Sequence, residues 1–498
     1  VIVVGAGAGG LAATIDLAAR GLEVLVCERG SEEGGKLRQL EVDGVGIDAG
    51  PTVFTMRWIF DRLFADAGDS LDSRLELQPA AVLARHAWRQ GGMLDLYADM
   101  ERSAEAIGDF AGAADARGYR ELCARSAAVY RTLRETFIAS QQPSPIELVR
   151  RVGWSRLGAM WATAPHLNLW QVLGQHFRDP RLRQLFGRYA TYCGSSPLTA
   201  PATLMLVAHV EQDGVWLVRG GIRAVAAAFA DLARRLGATL RMGAPVRRIL
   251  VERGRASGVQ LADGELLSAD AIVFNGDVAA LAQGLLGTEL RAAAPDTPPA
   301  ARSLSAVTWC LRACAAGFEL QHHNVFFAED YEREFRDIFG RGAIPPRPTV
   351  YLCAQDRDAQ SRAAPASASP ERLLMLINAP ANGDTHDWPS AHVEELYDRA
   401  ATLLRDCGLE LRGDPRRRIA TTPRDFAALY PGSGGALYGR ASVGATATFK
   451  RPGAASRIPG LYLAGGSVHP GPGVPMATMS GRLAAARLIN DLGRGRPR

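Results

Sequence analysis

The chain has 498 residues, 47% of them hydrophobic and 22% charged, with 57 basic against 52 acidic side chains and a net charge of +5. That balance excludes disordered and collagen-like chains. It also shows no surplus of the kind that a nucleic-acid binder gathers on one face, so no nucleic-acid partner is expected. At ~150 residues per domain the length allows two to four domains, enough to bury a core without disulfides or metals.

Residues 1–4 are an apolar strand pattern, and no signal-peptide pattern is visible. Gly5-Ala6-Gly7-Ala8-Gly9-Gly10 follows, residues 11–20 read as a helix stopped by Gly21, and residues 23–27 read as a second strand ending at Glu28. This is one complete βαβ unit. In Gly5-x-Gly7-x-x-Gly10 the first glycine permits a tight turn, the second lets backbone approach a pyrophosphate, and the third allows close helix–strand packing. The N–H groups opening the helix face the phosphate charge. Glu28, placed 18 residues beyond Gly10, is positioned to accept hydrogen bonds from ribose hydroxyls, and its charge disfavours a 2′-phosphate. NAD and FAD both remain, and two features favour FAD. Glu33-Gly34-Gly35-Lys36 supplies a second glycine turn with a cation, Lys36 and Lys450 being the only lysines in the chain. Far along the chain, residues 461–464 form a strand running into Gly465-Gly466 and a helix start near Pro475, where a helix N-terminus stabilises negative charge on a reduced flavin.

Between these segments, residues 222–236 read as helix, and 239–242, 246–252 and 271–274 as strands, with a hairpin turn at Asp263-Gly264. Two insertions, 76–212 and 286–444, are richer in Trp, Pro and Arg. The predicted division is therefore an FAD-binding domain of 1–75, 213–285 and 445–498, and a substrate-binding, membrane-contacting domain of 76–212 and 286–444. The seven cysteines are scattered with no CxxC pair and no zinc spacing, so no metal is expected and a reducing compartment fits. Cys310 and Cys314 read as small core hydrophobes that could share a helix face.

The span VIVVGAGAGGLAATIDLAARG, then ER and EEGGKL, resembles the start of the glutathione-reductase-like flavoproteins, in the branch that includes amine oxidases and carotenoid desaturases. Asp48-Ala49-Gly50-Pro51-Thr52-Val53-Phe54-Thr55 and the tail GLYLAGGSVHPGPGVPMATMSGRLAA resemble bacterial phytoene-desaturase-type enzymes. Phe54-Thr55-Met56-Arg57-Trp58, Leu83-Ala84-Arg85-His86-Ala87-Trp88 and the motif from His469 to Met476 are similar to the 1-hydroxycarotenoid 3,4-desaturases, Pro472 and Met476 departing from the usual phytoene-desaturase pattern.

The resemblance implies an α/β fold: a glutathione-reductase-like FAD-binding Rossmann domain with a discontinuous α+β substrate domain. It implies desaturation at C-3,4 of an acyclic 1-hydroxylated carotenoid by hydride transfer to FAD; oxygen, a quinone or another electron acceptor would each fit as re-oxidant, and the sequence does not choose among them. Carried over by position, Gly5, Ala6, Gly7, Gly9, Gly10, Glu28, Arg29, Gly35 and Lys36 would hold the ADP half of FAD. Val246 would meet adenine, and Gly50, Pro51, Thr52, Gly465, Gly466, Val474, Pro475 and Met476 would meet the rest of the cofactor. His469 is a candidate proton acceptor, or else a histidine that holds its own turn by hydrogen bonds. Phytoene desaturation is the nearest alternative. A prenyl-lipid carrier of the same fold is a remote one, disfavoured by the intact glycine motif, Glu28 and the GGK turn. An amine oxidase fits less well, since no Cys stands in the C-terminal motif.

A carotenoid substrate implies contact with a bilayer. Residues 157–177 carry no Asp, Glu, Lys or Arg, contain Trp161 and Trp170 and are flanked by arginines. Pro165, His166, Asn168, Gln171, Gln175 and His176 argue against a spanning helix. The segment reads either as an interfacial helix or as a roof over an apolar tunnel. A cytoplasmic protein attached peripherally to the membrane, with no spanning helix, is expected.

Overall fold

The computed structural model describes residues 1–153, 167–358, 370–414 and 417–494. Five short strands pair in the order Leu461–Leu463, Ile272–Phe274, Ile2–Val4, Leu25–Cys27 and Thr239–Arg241, every pair parallel. Side chains alternate across this sheet. Val3, Val26, Val273 and Tyr462 pack toward helices, while Ile2, Val4, Cys27, Ile272, Phe274, Leu461 and Leu463 pack toward an antiparallel sheet of Val246–Glu252, Arg255–Leu261 and Leu266–Ser268. Both faces are covered, which is why the three strands Ile2–Val4, Ile272–Phe274 and Leu461–Leu463 read as unbroken apolar runs.

The helix layer contains Ala8–Ala18, Arg223–Arg235 and Val474–Arg494. The first and last of these approach so closely that a Cβ on Gly481 would meet the Gly9 carbonyl oxygen. Gly10 is held the same way against the Gly5 carbonyl, and Gly5 itself turns with φ +98°.

The two inserted regions meet in one eight-stranded sheet. Val82–Trp88, from the first, runs parallel to His323–Phe327, from the second, and this pair joins the hairpin partner Met93–Tyr97 to Val350–Ala354, Glu371–Ala379, Ser305–Ala316 and their neighbours. Helix Ser390–Asp406 covers one face through Leu396, Ala400, Leu403 and Leu404 against Val307, Trp309 and Met375. The opposite face presents Thr308, Val325, Tyr351, Leu374 and Leu376 to a large cavity. Cys310 and Cys314 lie on the strand Ser305–Ala316, not on a helix. Their four-residue spacing puts them on one face of a strand equally well.

Of the uncharged segment 157–177, residues 157–166, with Trp161, Pro165 and His166, lie outside the described residues. The remainder contains the helix Leu169–His176, opened by an Asn168–Gln171 capping box. Trp170 in that helix packs under the Arg183 guanidinium, 4.6 Å from the ring centroid. Among the described residues no helix is long and apolar enough to cross a membrane.

Candidate functional site

One cavity of about 1200 Å³ runs from the parallel sheet to the eight-stranded one. It exceeds the ~300–1,000 Å³ of an ordinary small-molecule site, leaving room for two ligands. Sixteen of the residues singled out in the sequence line it: Gly5, Gly7, Gly9, Glu28, Arg29, Gly35, Lys36, Gly50, Pro51, Thr52, Val246, Gly465, Gly466, Val474, Pro475 and Met476. Three do not. Ala6 and Gly10 are buried beneath the turn, Ala6 donating its N–H to Glu28, and His469 points away from the cavity.

At the sheet end the geometry is that of an anion and ribose cradle. Helix Ala8–Ala18 begins at Gly7 with no side chain capping its first N–H groups, so these donors are available to a diphosphate. The Glu28 carboxylate accepts from Ala6 N at 2.7 Å through Oε2 and from Gly30 N at 2.8 Å through Oε1. An ionised carboxylate has about four acceptor positions, so two remain for ribose hydroxyls. Lys36 is half-buried, its Nζ donating to the Leu437 carbonyl at 2.6 Å and standing 4.8 Å from the Tyr430 ring centroid. Burial lowers its pKa, and Asp277 works in the opposite direction. Arg29 reaches across to the carbonyls of Ala428 and Leu429.

The second glycine segment enters from the last strand. Gly465 N donates to Ser480 Oγ at 3.2 Å. Arg451, buried in the same region, donates to the carbonyls of Tyr438 at 2.9 Å, Gly466 at 3.0 Å and Arg440 at 2.6 Å. Burial brings its pKa down to about 10. Two residues that sequence reasoning missed tie the halves together: this arginine and Asn275. Asn275 leaves the strand Ile272–Phe274, donates to the Gly5 carbonyl at 3.2 Å and lines the cavity beside Gly465. The available signal was an Asn-Gly-Asp sequence at the end of a third strand of the parallel sheet.

His469 donates from Nε2 to the carbonyls of Phe137 at 3.0 Å and Ser140 at 2.9 Å, and its ring lies 4.6 Å from that of Phe137. Burial pushes its pKa down to about 4. This is a histidine that holds a turn. His86 is likewise buried, its Nδ1 on the Leu94 carbonyl and its ring stacked against Phe327.

Away from the sheet the cavity wall becomes aliphatic, with Leu133, Ile138, Leu148, Val149, Val152, Leu204, Leu206, Val207 and Val210 facing Val325, Leu374 and Leu376. A few polar groups interrupt it. Tyr351 OH bonds Thr52 Oγ1 at 2.6 Å and His323 Nδ1 at 2.8 Å. Glu211 accepts from Tyr192 OH at 2.5 Å and Tyr189 OH at 2.6 Å, and Arg188 stands over the Tyr192 ring. Cross-strand pairing of His323 with Cys353 also gathers His322, His323 and Cys353, their ligand-type atoms within 4.8 Å of one another. Burial raises the Cys353 thiol far above its ordinary pKa, and so holds it protonated.

A family profile described as flavin containing amine oxidoreductase matches residues 8–489. The chain is 52% identical to a hydroxyneurosporene desaturase of Rubrivivax gelatinosus, over 99% of this chain and 93% of that one. It is 45% identical to a protein of the same name from Cereibacter sphaeroides, over 99% and 98%. It is 31% identical to a 4,4'-diapolycopene oxygenase of Methylomonas, over 99% and 98%. Among solved structures, an oxidoreductase from Methanosarcina mazei superposes with a TM-score of 0.61 at 15% identity, over 98% of this chain and 99% of that one. Putrescine oxidase bound to putrescine superposes with a TM-score of 0.59 at 14% identity, over 99% and 98%. At these identities the structural likeness speaks for the fold.

Proposed function

Because the chain belongs to the flavin containing amine oxidoreductase family and is an FAD-dependent oxidoreductase, we propose that it is a carotenoid desaturase that introduces the C-3,4 double bond into acyclic 1-hydroxycarotenoids. The observation that carries this reading is the continuity of one cavity from the glycine turns to a long aliphatic wall. Full-length similarity to two proteins named hydroxyneurosporene desaturase supports the substrate class.

In this reading residues 1–75, 213–285 and 445–498 bind FAD, and residues 76–212 and 286–444 bind the polyene. The uncapped N–H groups after Gly7 would receive the diphosphate, Glu28 the ribose, Val246 the adenine, and the 465–466 and 474–476 segments the flavin end. Bound FAD supplies a two-electron acceptor able to take a hydride from carbon. The chain's own work is positional. The wall from Leu204 to Val210 and the sheet face at Leu374 and Leu376 exclude water and fix an extended apolar ligand. With His469 committed to the carbonyls of Phe137 and Ser140, no histidine of the C-terminal motif serves as base. A cation spread along a conjugated chain releases its proton without a strong base.

Peripheral membrane attachment and re-oxidation by oxygen or a quinone belong to the same proposal. Ile146, 75% exposed on the helix Pro145–Val152 whose other face lines the cavity, supports contact with a bilayer there. The test is turnover by FAD-loaded protein in liposomes containing either a 1-hydroxylated acyclic carotenoid or phytoene, with the product's new double bond located by NMR. A C-3,4 double bond in the hydroxylated substrate alone is expected. Turnover of phytoene instead would move the enzyme to an early desaturation.

A further inference from the structure

An apolar tunnel for a hydrocarbon needs no charge, yet this one contains a buried arginine. Arg188 is 7% exposed, lines the cavity and has its guanidinium carbon 5.0 Å from the centroid of the Tyr192 ring. Among the described residues no carboxylate comes within ion-pair distance of it, and its Nε has no hydrogen-bond partner. The nearby Glu211, 4% exposed, is already satisfied, with one tyrosine hydroxyl on each carboxylate oxygen. A second group on the same cavity is open too. Tyr331 is 3% exposed, lines the cavity, and its hydroxyl has no partner.

The two are joined through Trp170, whose ring centroid lies 6.2 Å from that of Tyr331 and whose ring packs against Gly187, the residue before Arg188. Burial and the Glu334 carboxylate push the Tyr331 phenol well above its ordinary pKa, and the Arg188 charge opposes them. Arg188 itself stays cationic: burial works against its charge, and Tyr192, Glu211 and Tyr189 outweigh burial. By contrast the Tyr351 hydroxyl on the same wall is already paired, with Thr52 Oγ1 and His323 Nδ1. Buried donors left open are rare in folded chains, because each forfeits its hydration.

We infer that Arg188 and Tyr331 form the subsite that receives the hydroxyl end group of the substrate, with Glu211, Tyr189 and Tyr192 holding the arginine in place. A hydroxyl suits this pair because it can accept from the guanidinium and exchange a hydrogen bond with the phenol. An anion suits it less well, since Glu211 stands beside it. A hydrocarbon terminus would leave Arg188 Nε and the Tyr331 hydroxyl without a partner, so the subsite selects a hydroxylated polyene over its parent. The inference rests on the reading of the cavity as a polyene site.

The test compares a 1-hydroxylated acyclic carotenoid with its non-hydroxylated parent, in the FAD-loaded full chain at fixed detergent. Dissociation constants come from quenching of tryptophan fluorescence, and turnover is followed alongside. Wild type is expected to bind the hydroxylated ligand at least tenfold more tightly. Tyr331→Phe, which removes an oxygen with no partner and so leaves the fold intact, should cut that preference roughly two- to tenfold. Arg188→Met should cut it roughly tenfold to a hundredfold, with affinity for the parent hydrocarbon unchanged or improved. An unchanged preference in Tyr331→Phe, with unaltered flavin content and melting, overturns the subsite. Wild type that desaturates both polyenes with equal affinity overturns the subsite and leaves the desaturase reading standing. A hydroxyl preference in binding without any turnover upholds the subsite and sinks the desaturase reading.

Discussion

Replacing Glu28 by glutamine keeps the shape of the side chain and removes its charge. The carboxylate holds two backbone donors at once, Ala6 N at 2.7 Å and Gly30 N at 2.8 Å. Glutamine can keep one of these through its oxygen, while its NH2 group confronts the other N–H. One charge-assisted hydrogen bond is lost, about 1.5–3 kcal/mol, and a donor is left unpaired beneath the turn. The same substitution removes acceptor positions that face the cavity, a loss of the same order for a ribose hydroxyl. At 1.4 kcal/mol per factor of ten, FAD should bind roughly 10- to 100-fold more weakly. The assay is titration of apoprotein with FAD by flavin fluorescence, with urea unfolding of the apo forms run in parallel to separate the turn from the ligand. A dissociation constant within about threefold of wild type, which is under about 0.7 kcal/mol, would refute the role given to Glu28.

Three further outcomes follow from the same geometry. His469 has its pKa pushed from an ordinary 6.5 down to about 4 by burial, so the unfolded chain binds the proton first. Its stabilising effect is full above pH 6.5 and is lost as the pH falls through 4, on the order of 3 kcal/mol; urea midpoints of His469→Gln should therefore change less than those of wild type between pH 7 and 4. Parallel profiles would contradict this. Gly481→Ala places a Cβ against the Gly9 carbonyl oxygen and should cost about 1–3 kcal/mol, read as a lower melting temperature with and without FAD; an unshifted melt would refute the close packing. Arg451→Lys cannot span the carbonyls of Tyr438, Arg440 and Gly466 and should lose about 2–4 kcal/mol, measured by urea denaturation, where an unchanged midpoint would show that those bonds are dispensable.

The first βαβ unit was legible because everything that specifies it is local: Gly5, Gly7, Gly10 and Glu28 sit within one strand–helix–strand run. The strands Ile272–Phe274 and Leu461–Leu463 were legible as apolar runs because both faces of their sheet are covered. The eight-stranded sheet was not, since its organising pair, Val82–Trp88 beside His323–Phe327, joins segments far apart in the chain. Cys310 and Cys314 show the same weakness, as their spacing suits a helix face and a strand face alike. Arg188, Glu211 and Tyr331 carry no motif. They come together only through tertiary packing, and a sequence gives no sign that an arginine is buried with a nearby carboxylate turned to two tyrosines instead of to it. Asn275 and Arg451 act through backbone carbonyls, which leave no pattern in side-chain spacing.

The proposed function requires that one cavity hold flavin and polyene together for a direct two-electron transfer. An anaerobic single-turnover experiment tests it: FAD-loaded protein is mixed with the 1-hydroxylated acyclic carotenoid in liposomes, and flavin bleaching and the polyene spectrum are followed together. One flavin bleached for each polyene shifted to longer wavelength, with the same rate constant, is the predicted result. A flavin that stays oxidised while the polyene is bound would contradict the account and leave the chain an FAD protein of another substrate.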